Sequence, residues 1–214
     1  ACLAIPELGL EFRAGQPLVT FISRDLEPLR GLGQLLQAWP LVSQTLPEAQ
    51  LVLVGSRGQG YSLQQPKGQD HLADALEQLP YQVNLEHIHY LGLLTHAEML
   101  KLLQCSGCHV ALSYPYTLSW SVLEALACAA PVVSNPDSPI AMELQTNAKD
   151  ALALVPFNDV ASLASRIIEL LQQPQRARKI GAAGRSWIQR NGGLDDAVSA
   201  YERLFQRVRE QVVT

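Results

Sequence analysis

Short apolar runs alternate along this chain with longer stretches of helical period, and that alternation constrains the fold more than any other feature of the sequence. Leu18-Val19-Thr20-Phe21-Ile22, Gln50-Leu51-Val52-Leu53-Val54-Gly55, His87-Ile88-His89-Tyr90-Leu91-Gly92, Cys108-His109-Val110-Ala111-Leu112-Ser113, Pro131-Val132-Val133-Ser134 and Leu152-Ala153-Leu154-Val155 read as strands. Several of these runs are apolar without interruption, as strands covered on both faces are. The segments between them carry helical spacing, for example Leu32, Leu35, Leu36 and Trp39 within 31–46. Strand, crossover and strand repeated about six times predicts an α/β fold: a doubly wound, Rossmann-like parallel sheet with helices on both faces.

Local signals place the helices. Thr95 with Glu98 three residues on predicts a capping box for a helix to about Gln104. Ser119 or Ser121 is expected to cap an apolar helix from Val122 to Ala129. Amphipathic helices are expected from Asp159 to Gln172, over 174–190 and over 194–211, whereas 56–70, rich in Gly, Gln, Ser and Pro, reads as a long functional loop. Residues 1–17 are expected to be a linker or remnant of a missing N-terminal domain and 18–214 the domain proper. The start, Ala1-Cys2-Leu3-Ala4-Ile5-Pro6, has no initiator Met and no signal-peptide pattern, so the chain reads as a fragment.

Composition narrows the function. A formal net charge of -4 offers no basic surface of the kind that displaces phosphate counterions, which argues against nucleic acid as a partner. The longest apolar stretches fall short of the roughly 20 residues that a bilayer requires. Four cysteines, Cys2, Cys105, Cys108 and Cys128, are too few for a disulfide scaffold and suit a cytoplasmic setting. Cys105-Ser-Gly-Cys108 lies between a helix and a strand without two further zinc ligands, so it reads as a pair of small buried thiols. His109, inside a strand, reads as a core histidine rather than a base.

In a doubly wound sheet the ligand lies outside the carboxyl ends of the strands. After the first strand stands Ser23-Arg24-Asp25-Leu26-Glu27-Pro28-Leu29-Arg30-Gly31, where Arg24 and Arg30 are spaced to clamp a diphosphate or simply to stay solvated. From Tyr114 to Glu124 a loop opens into a helix whose free N–H groups suit phosphate oxygens. Glu124 falls in the first turns of that apolar helix; it either holds a ribose diol or offsets the helix dipole.

The order Ser23-Arg24…Pro28…Arg30-Gly31, Leu51 to Gly55, His89 to Gly92, and Leu123-Glu124-Ala125-Leu126-Ala127-Cys128…Pro131-Val132-Val133 resembles the C-terminal domain of family 4 (group 1) retaining glycosyltransferases of the GT-B fold. The resemblance spans about residues 18–206. It implies a donor domain that transfers a sugar from a nucleoside diphosphate sugar to an acceptor with retention of configuration. Arg24 and Arg30 would neutralise the diphosphate as catalytic residues, and Glu124 would hold the ribose. Gly55 would let the chain pass close to the donor, with Tyr90 near the base. Leu118, Ser119, Trp120, Ser121 and Val122 would bind the donor at the helix start. Where the family has the first Glu of a Glu-x7-Glu motif this chain has Tyr116, expected to contact the sugar or merely to pack. Neither a metal nor another cofactor is expected, since no DxD-like acidic cluster is visible. The resemblance further implies a missing N-terminal acceptor domain, inactivity of the isolated domain, a cytoplasmic setting and peripheral membrane association of the full-length protein. A nucleotide-sugar epimerase or phosphorylase of the same architecture, and an inactive nucleotide-binding or scaffold module, are the alternatives.

Overall fold

The structure, a computed structural model, describes residues 2–58, 60–63, 66, 70–114, 118–144 and 148–212. In chain order the elements are β1 (Cys2–Ile5), β2 (Leu10–Arg13), β3 (Leu18–Asp25), α1 (Leu32–Thr45), β4 (Gln50–Ser56), α2 (His71–Glu77), β5 (Ile88–Tyr90), α3 (His96–Cys105), β6 (Cys108–Val110), α4 (Trp120–Ala127), β7 (Val132–Ser134), α5 (Pro139–Leu144), β8 (Ala153–Leu154), α6 (Val160–Gln172), α7 (Pro174–Asn191) and α8 (Leu194–Val212). Strands β3 to β8 form one parallel sheet in the order β5-β4-β3-β6-β7-β8. The chain builds outward from β3 to β5, then crosses back to start the other half at β6. The strand order therefore reverses between β3 and β6, and their carboxyl ends flank the crevice where such sheets bind ligands.

Two apolar cores, one on each face, explain the uninterrupted strand runs. On one face Val19, Phe21, Leu51, Leu53, Cys108 and Val110 pack with Leu35, Leu36 and Trp39 of α1 and Leu163 and Ile167 of α6. On the other, Leu18, Ile22, Val52 and Val54 pack with Leu102 and Leu103 of α3 and Val122, Ala125 and Leu126 of α4. The thiols of Cys105 and Cys108 are buried in different cores, so they form neither a redox nor a metal pair; desolvation pushes both above the ordinary thiol range. The predicted capping box is present: the Glu98 N–H donates to Thr95 Oγ1 at 3.3 Å, and the Thr95 N–H donates to Glu98 Oε2 at 2.9 Å.

Three features differ from the sequence reading. Residues 2–13, expected as a linker, form the antiparallel pair β1–β2, whose Leu3 and Phe12 are buried in the second core. Helix α5 follows Ser138, one turn ahead of where Glu143 would mark a helix start. Strand β6 stops at Val110: after the Ala111 N–H donates to Val133 O at 2.9 Å, its continuation is held by the side chains of Ser134 and Asn135. At the other end of the chain, α8 exposes Val198, Tyr201, Phe205 and Val208, with the Tyr201 and Phe205 rings stacked at 6.3 Å.

His109 lies on β6 beside Thr20 of β3, fully buried, with Nδ1 2.9 Å from Thr20 Oγ1. Thr20 Oγ1 in turn lies 2.8 Å from Ser106 Oγ, while Nε2 of the imidazole is buried without a hydrogen-bond partner among the described residues. Desolvation lowers the pKa of His109 to about 4, so the ring is neutral in the folded protein. Between that value and the ordinary histidine pKa the unfolded chain binds a proton that the folded chain does not, so stability rises with pH across the window. His109 is expected to contribute about 1.4 kcal/mol per pH unit, on the order of 3 kcal/mol in all. Urea unfolding between pH 5 and 6.5, above the carboxylate range, should show this slope, and His109→Gln should flatten it.

Candidate functional site

The first wall of the crevice is the end of β3. Beyond Ile22 the strand continues to Asp25, which stands opposite Ser56 of β4. Asp25 Oδ1 accepts the Ser56 hydroxyl at 2.7 Å, and Oδ2 accepts Arg24 Nε at 2.8 Å. The Ser56 hydrogen bond, then the Arg24 guanidinium, hold this carboxyl below its usual range. Arg24 is 72% exposed, with its guanidinium carbon 5.2 Å from the centre of the Tyr61 ring.

Glu27 is a buried carboxylate with its partners built around it. Oε2 accepts the backbone N–H groups of Tyr61 and Ser62 at 2.8 and 2.9 Å and the Ser62 hydroxyl at 2.8 Å. Oε1 lies 3.8 Å from Arg30 Nε, and the Arg30 side chain is only 19% exposed. Gly60 adopts φ 58°, and a Cβ there would meet the Glu27 carboxylate carbon at 2.5 Å. Glu27 thus draws the segment 60–62 over the strand end and fixes one face of Arg30. A short 3-10 turn, Pro28–Arg30, then ends at Gly31, whose φ of 82° carries the chain into α1.

The opposite wall begins after β6. Tyr114 N–H donates to Leu29 O at 2.9 Å, tying this loop to the turn that carries Arg30. Helix α4 starts at Trp120 with Ser119 as N-cap, but the Ser119 hydroxyl lies 2.8 Å from Ser121 Oγ instead of capping the helix. The Ser121 hydroxyl donates to Ile22 O at 3.1 Å and so joins the helix start to β3.

Between the walls lies a cleft of roughly 250 Å³ lined by Ser23, Arg24, Asp25, Glu27, Arg30 and Tyr61 on one side and Leu118, Ser119, Trp120 and Ser121 on the other. A narrow extension of about 30 Å³ runs beneath it past Val122, Ser113 and Ser138. Larger hollows of about 520 Å³ beside Pro47 and His87, and about 410 Å³ beside Arg166 and Lys179, lie at the amino ends of the strands and at the β8 edge. Position decides between them, because the doubly wound sheet directs ligands to the carboxyl ends.

Seven of the site residues named from sequence meet here: Arg24, Arg30, Leu118, Ser119, Trp120, Ser121 and Val122. Tyr116 lies outside the described residues. Three others stand apart from the cleft lining. Gly55 adopts φ 150°, and a Cβ would run into the Ser23 carbonyl oxygen of the neighbouring strand, so strand packing is what requires glycine there. Tyr90 donates its hydroxyl to Gly55 O at 3.1 Å, with the Arg57 guanidinium 5.8 Å from its ring. Glu124, 26% exposed, has Oε1 2.9 Å from His96 Nε2, so a side chain at the start of α3 meets its need for a partner. Sequence reasoning missed Glu27, His96 and Asn135; the only outward signs were an acid between Leu26 and Pro28 and an Asn-Pro turn after β7. Among the described residues no three His, Cys, Asp or Glu side chains are grouped to hold a metal ion, and no helix is long and apolar enough to cross a membrane.

The family model for glycosyl transferases group 1 matches residues 9–187. The chain belongs to the group 1 glycosyl transferases. It is 29% identical over 187 residues to a GDP-mannose-dependent monoacylated α-(1-6)-phosphatidylinositol monomannoside mannosyltransferase of Corynebacterium glutamicum, a match covering 84% of this chain and 44% of that protein. A phosphatidyl-myo-inositol mannosyltransferase of Mycobacterium leprae is 29% identical over 212 residues, covering 98% of this chain and 50% of the relative. Among solved structures, sucrose-phosphate synthase from Thermosynechococcus elongatus superposes with a TM-score of 0.73 at 23% identity, over 96% of this chain and 48% of that one. The six-stranded parallel sheet agrees with the GT-B, Rossmann-like fold of such neighbours. This group 1 domain spans about half the length of the curated relatives it matches.

The buried carboxylate gives a direct check on how the domain holds this wall together. Glu27→Ala leaves the Tyr61 and Ser62 donors and the Arg30 guanidinium without their shared acceptor, and should cost about 3 kcal/mol. Glu27→Gln retains an acceptor oxygen and should cost less. Urea unfolding curves of the two variants measure the order.

Proposed function

We propose that this chain is the donor-binding half of a retaining glycosyltransferase, holding the diphosphate of a nucleoside diphosphate sugar in the cleft between the end of β3 and the start of α4. One observation carries the reading: Arg24 and Arg30 face the α4 start across a single cleft at the point where strand order reverses. Two guanidiniums on one wall offer planar, bidentate donors to phosphate oxygens. The first-turn N–H groups of α4, which the Ser119 side chain leaves uncapped, add the positive end of the helix dipole on the other wall.

As the glycosidic bond to the donor breaks, negative charge builds on the leaving diphosphate, and these groups stabilise it without rearranging. Arg30 is the better organised of the two, being mostly buried and set by Glu27, whereas Arg24 projects into solvent. No step in this scheme requires a metal ion. GDP-mannose is the first donor to try, because both curated relatives are mannosyltransferases and one is named as GDP-mannose-dependent. The acceptor would be held by the remainder of a longer protein.

Arg30→Ala in the full-length enzyme should lower kcat by about 100-fold or more, the scale of losing one preorganised donor to a developing charge. Arg24→Ala should cost less, and the double variant more than either. Radiolabelled transfer assays measure these rates. An excess of EDTA should leave the wild-type rate unchanged. Unaltered turnover in the double variant would exclude the diphosphate role.

A further inference from the structure

Asn135 lies outside the proposed diphosphate cleft, yet it is wholly buried and both ends of its amide are used on one residue. Its Oδ1 accepts the Ser113 N–H at 2.9 Å and its Nδ2 donates to Ser113 O at 3.0 Å. A carboxamide carries the same donor and acceptor as a peptide group, so Asn135 gives Ser113 the pairing that the β7 backbone gives Ala111 through Val133 O. Ser134 does the same one step earlier, donating its hydroxyl to Ala111 O at 2.8 Å.

What the held segment touches on its other side gives this clamp a role. Tyr114, the next residue, donates its N–H to Leu29 O at 2.9 Å, and Leu29 immediately precedes Arg30. Leu112, on the near side of Ser113, packs so closely on Gly31 that a Cβ there would fall 2.6 Å from Leu112 Cβ. Residues 112–114 are therefore fixed by Asn135 on one side and seat the turn 29–31 on the other. The backbone on both flanks of Arg30 takes its place from a strand extension whose Ser113 step is held by a side-chain amide.

We infer that Asn135 is a positioning residue for diphosphate binding, acting through Ser113 and Tyr114 on Arg30. The inference rests on the donor-site reading proposed above. Removing the amide leaves the buried Ser113 N–H and C=O without partners, and their reorientation shifts the Tyr114–Leu29 contact and with it the guanidinium.

The test is a double-mutant cycle on this chain, with GDP and GMP as calorimetric probes. Asn135→Ala should weaken GDP binding about tenfold and GMP binding much less, because the second phosphate depends most on Arg30. In an Arg30→Ala background the same substitution should weaken GDP binding less than twofold. Asn135→Asp retains the acceptor for Ser113 N–H and loses the donor, so it should fall between wild type and Asn135→Ala; it also carries the cycle should the alanine variant not fold. Equal losses for GDP and GMP, or full additivity with Arg30→Ala, would mean that Asn135 merely stabilises the domain, and the inference fails. If the unmodified chain binds GDP and Asn135→Ala binds it equally, the inference alone is lost. If the unmodified chain binds neither GDP nor UDP, the donor site itself is wrong and the inference goes with it.

Discussion

The molecule is organised around the position of β3. It is the first strand of the parallel sheet in the chain and has a hydrogen-bonded neighbour on each side, with apolar cores on both faces. A parallel strand cannot connect to its neighbour by a tight turn, so each strand must leave the sheet at its carboxyl end and return through a crossover. The connection from β3 departs toward β4 and that from β6 toward β7, in opposite directions, so a crevice between them is a product of topology before any side chain is specified. Every feature of the candidate site occupies that crevice or braces its walls.

Bracing matters because the useful side chains here are long cations with much rotamer freedom to lose. The carboxylates answer this differently on the two arginines. Asp25 meets the exposed Arg24 through Nε, while its other oxygen is spent on Ser56. Glu27 binds the 61–62 segment through Oε2 and approaches Arg30 through Oε1 at the longer distance of 3.8 Å. In both pairs the closest contact is Nε, the inner nitrogen of the guanidinium. A guanidinium has five donor hydrogens in a planar fork, so a carboxylate at Nε helps to orient the group.

The fold was legible in the sequence because its main determinants are local. Continuous apolar runs located the strands, the spacing of Leu32, Leu35, Leu36 and Trp39 gave the buried face of α1, and Thr95 with Glu98 gave the start of α3 to the residue. The hairpin β1–β2 escaped notice because its strands have four residues each and bury one side chain apiece, Leu3 and Phe12, against elements far along the chain. The cleft was legible only in part. Residues at the end of a strand run or the start of a helix, such as Arg24 and Ser121, could be placed by counting. Glu124 and Gly55 could not, because their surroundings depend on partners from other elements: His96 at the start of α3 and the Ser23 carbonyl on β3. Glu27 and Asn135 were hidden for the same reason, since a side chain that serves a distant backbone leaves no periodicity of its own.

The cleft also shows why a domain of this kind is half of a catalytic device on the proposed reading. Its outer wall is exposed: Trp120 is 80% accessible, Arg24 nearly as much, and Tyr61 more than half. In that setting the attraction between a guanidinium and a phosphate is screened by water to a small fraction of its strength in a dry site. Charge stabilisation of the size that sugar transfer demands needs the same donors with water excluded. Among the described residues the walls are positioned but not covered, and on the proposed reading the cover would come from the remainder of a longer protein, since this domain spans about half the length of its relatives. The two halves then contribute different things. This one holds its cations in register through Glu27 and the β6 extension, and closure of the other over them would turn a weak anion site into one able to bear the charge of a leaving diphosphate.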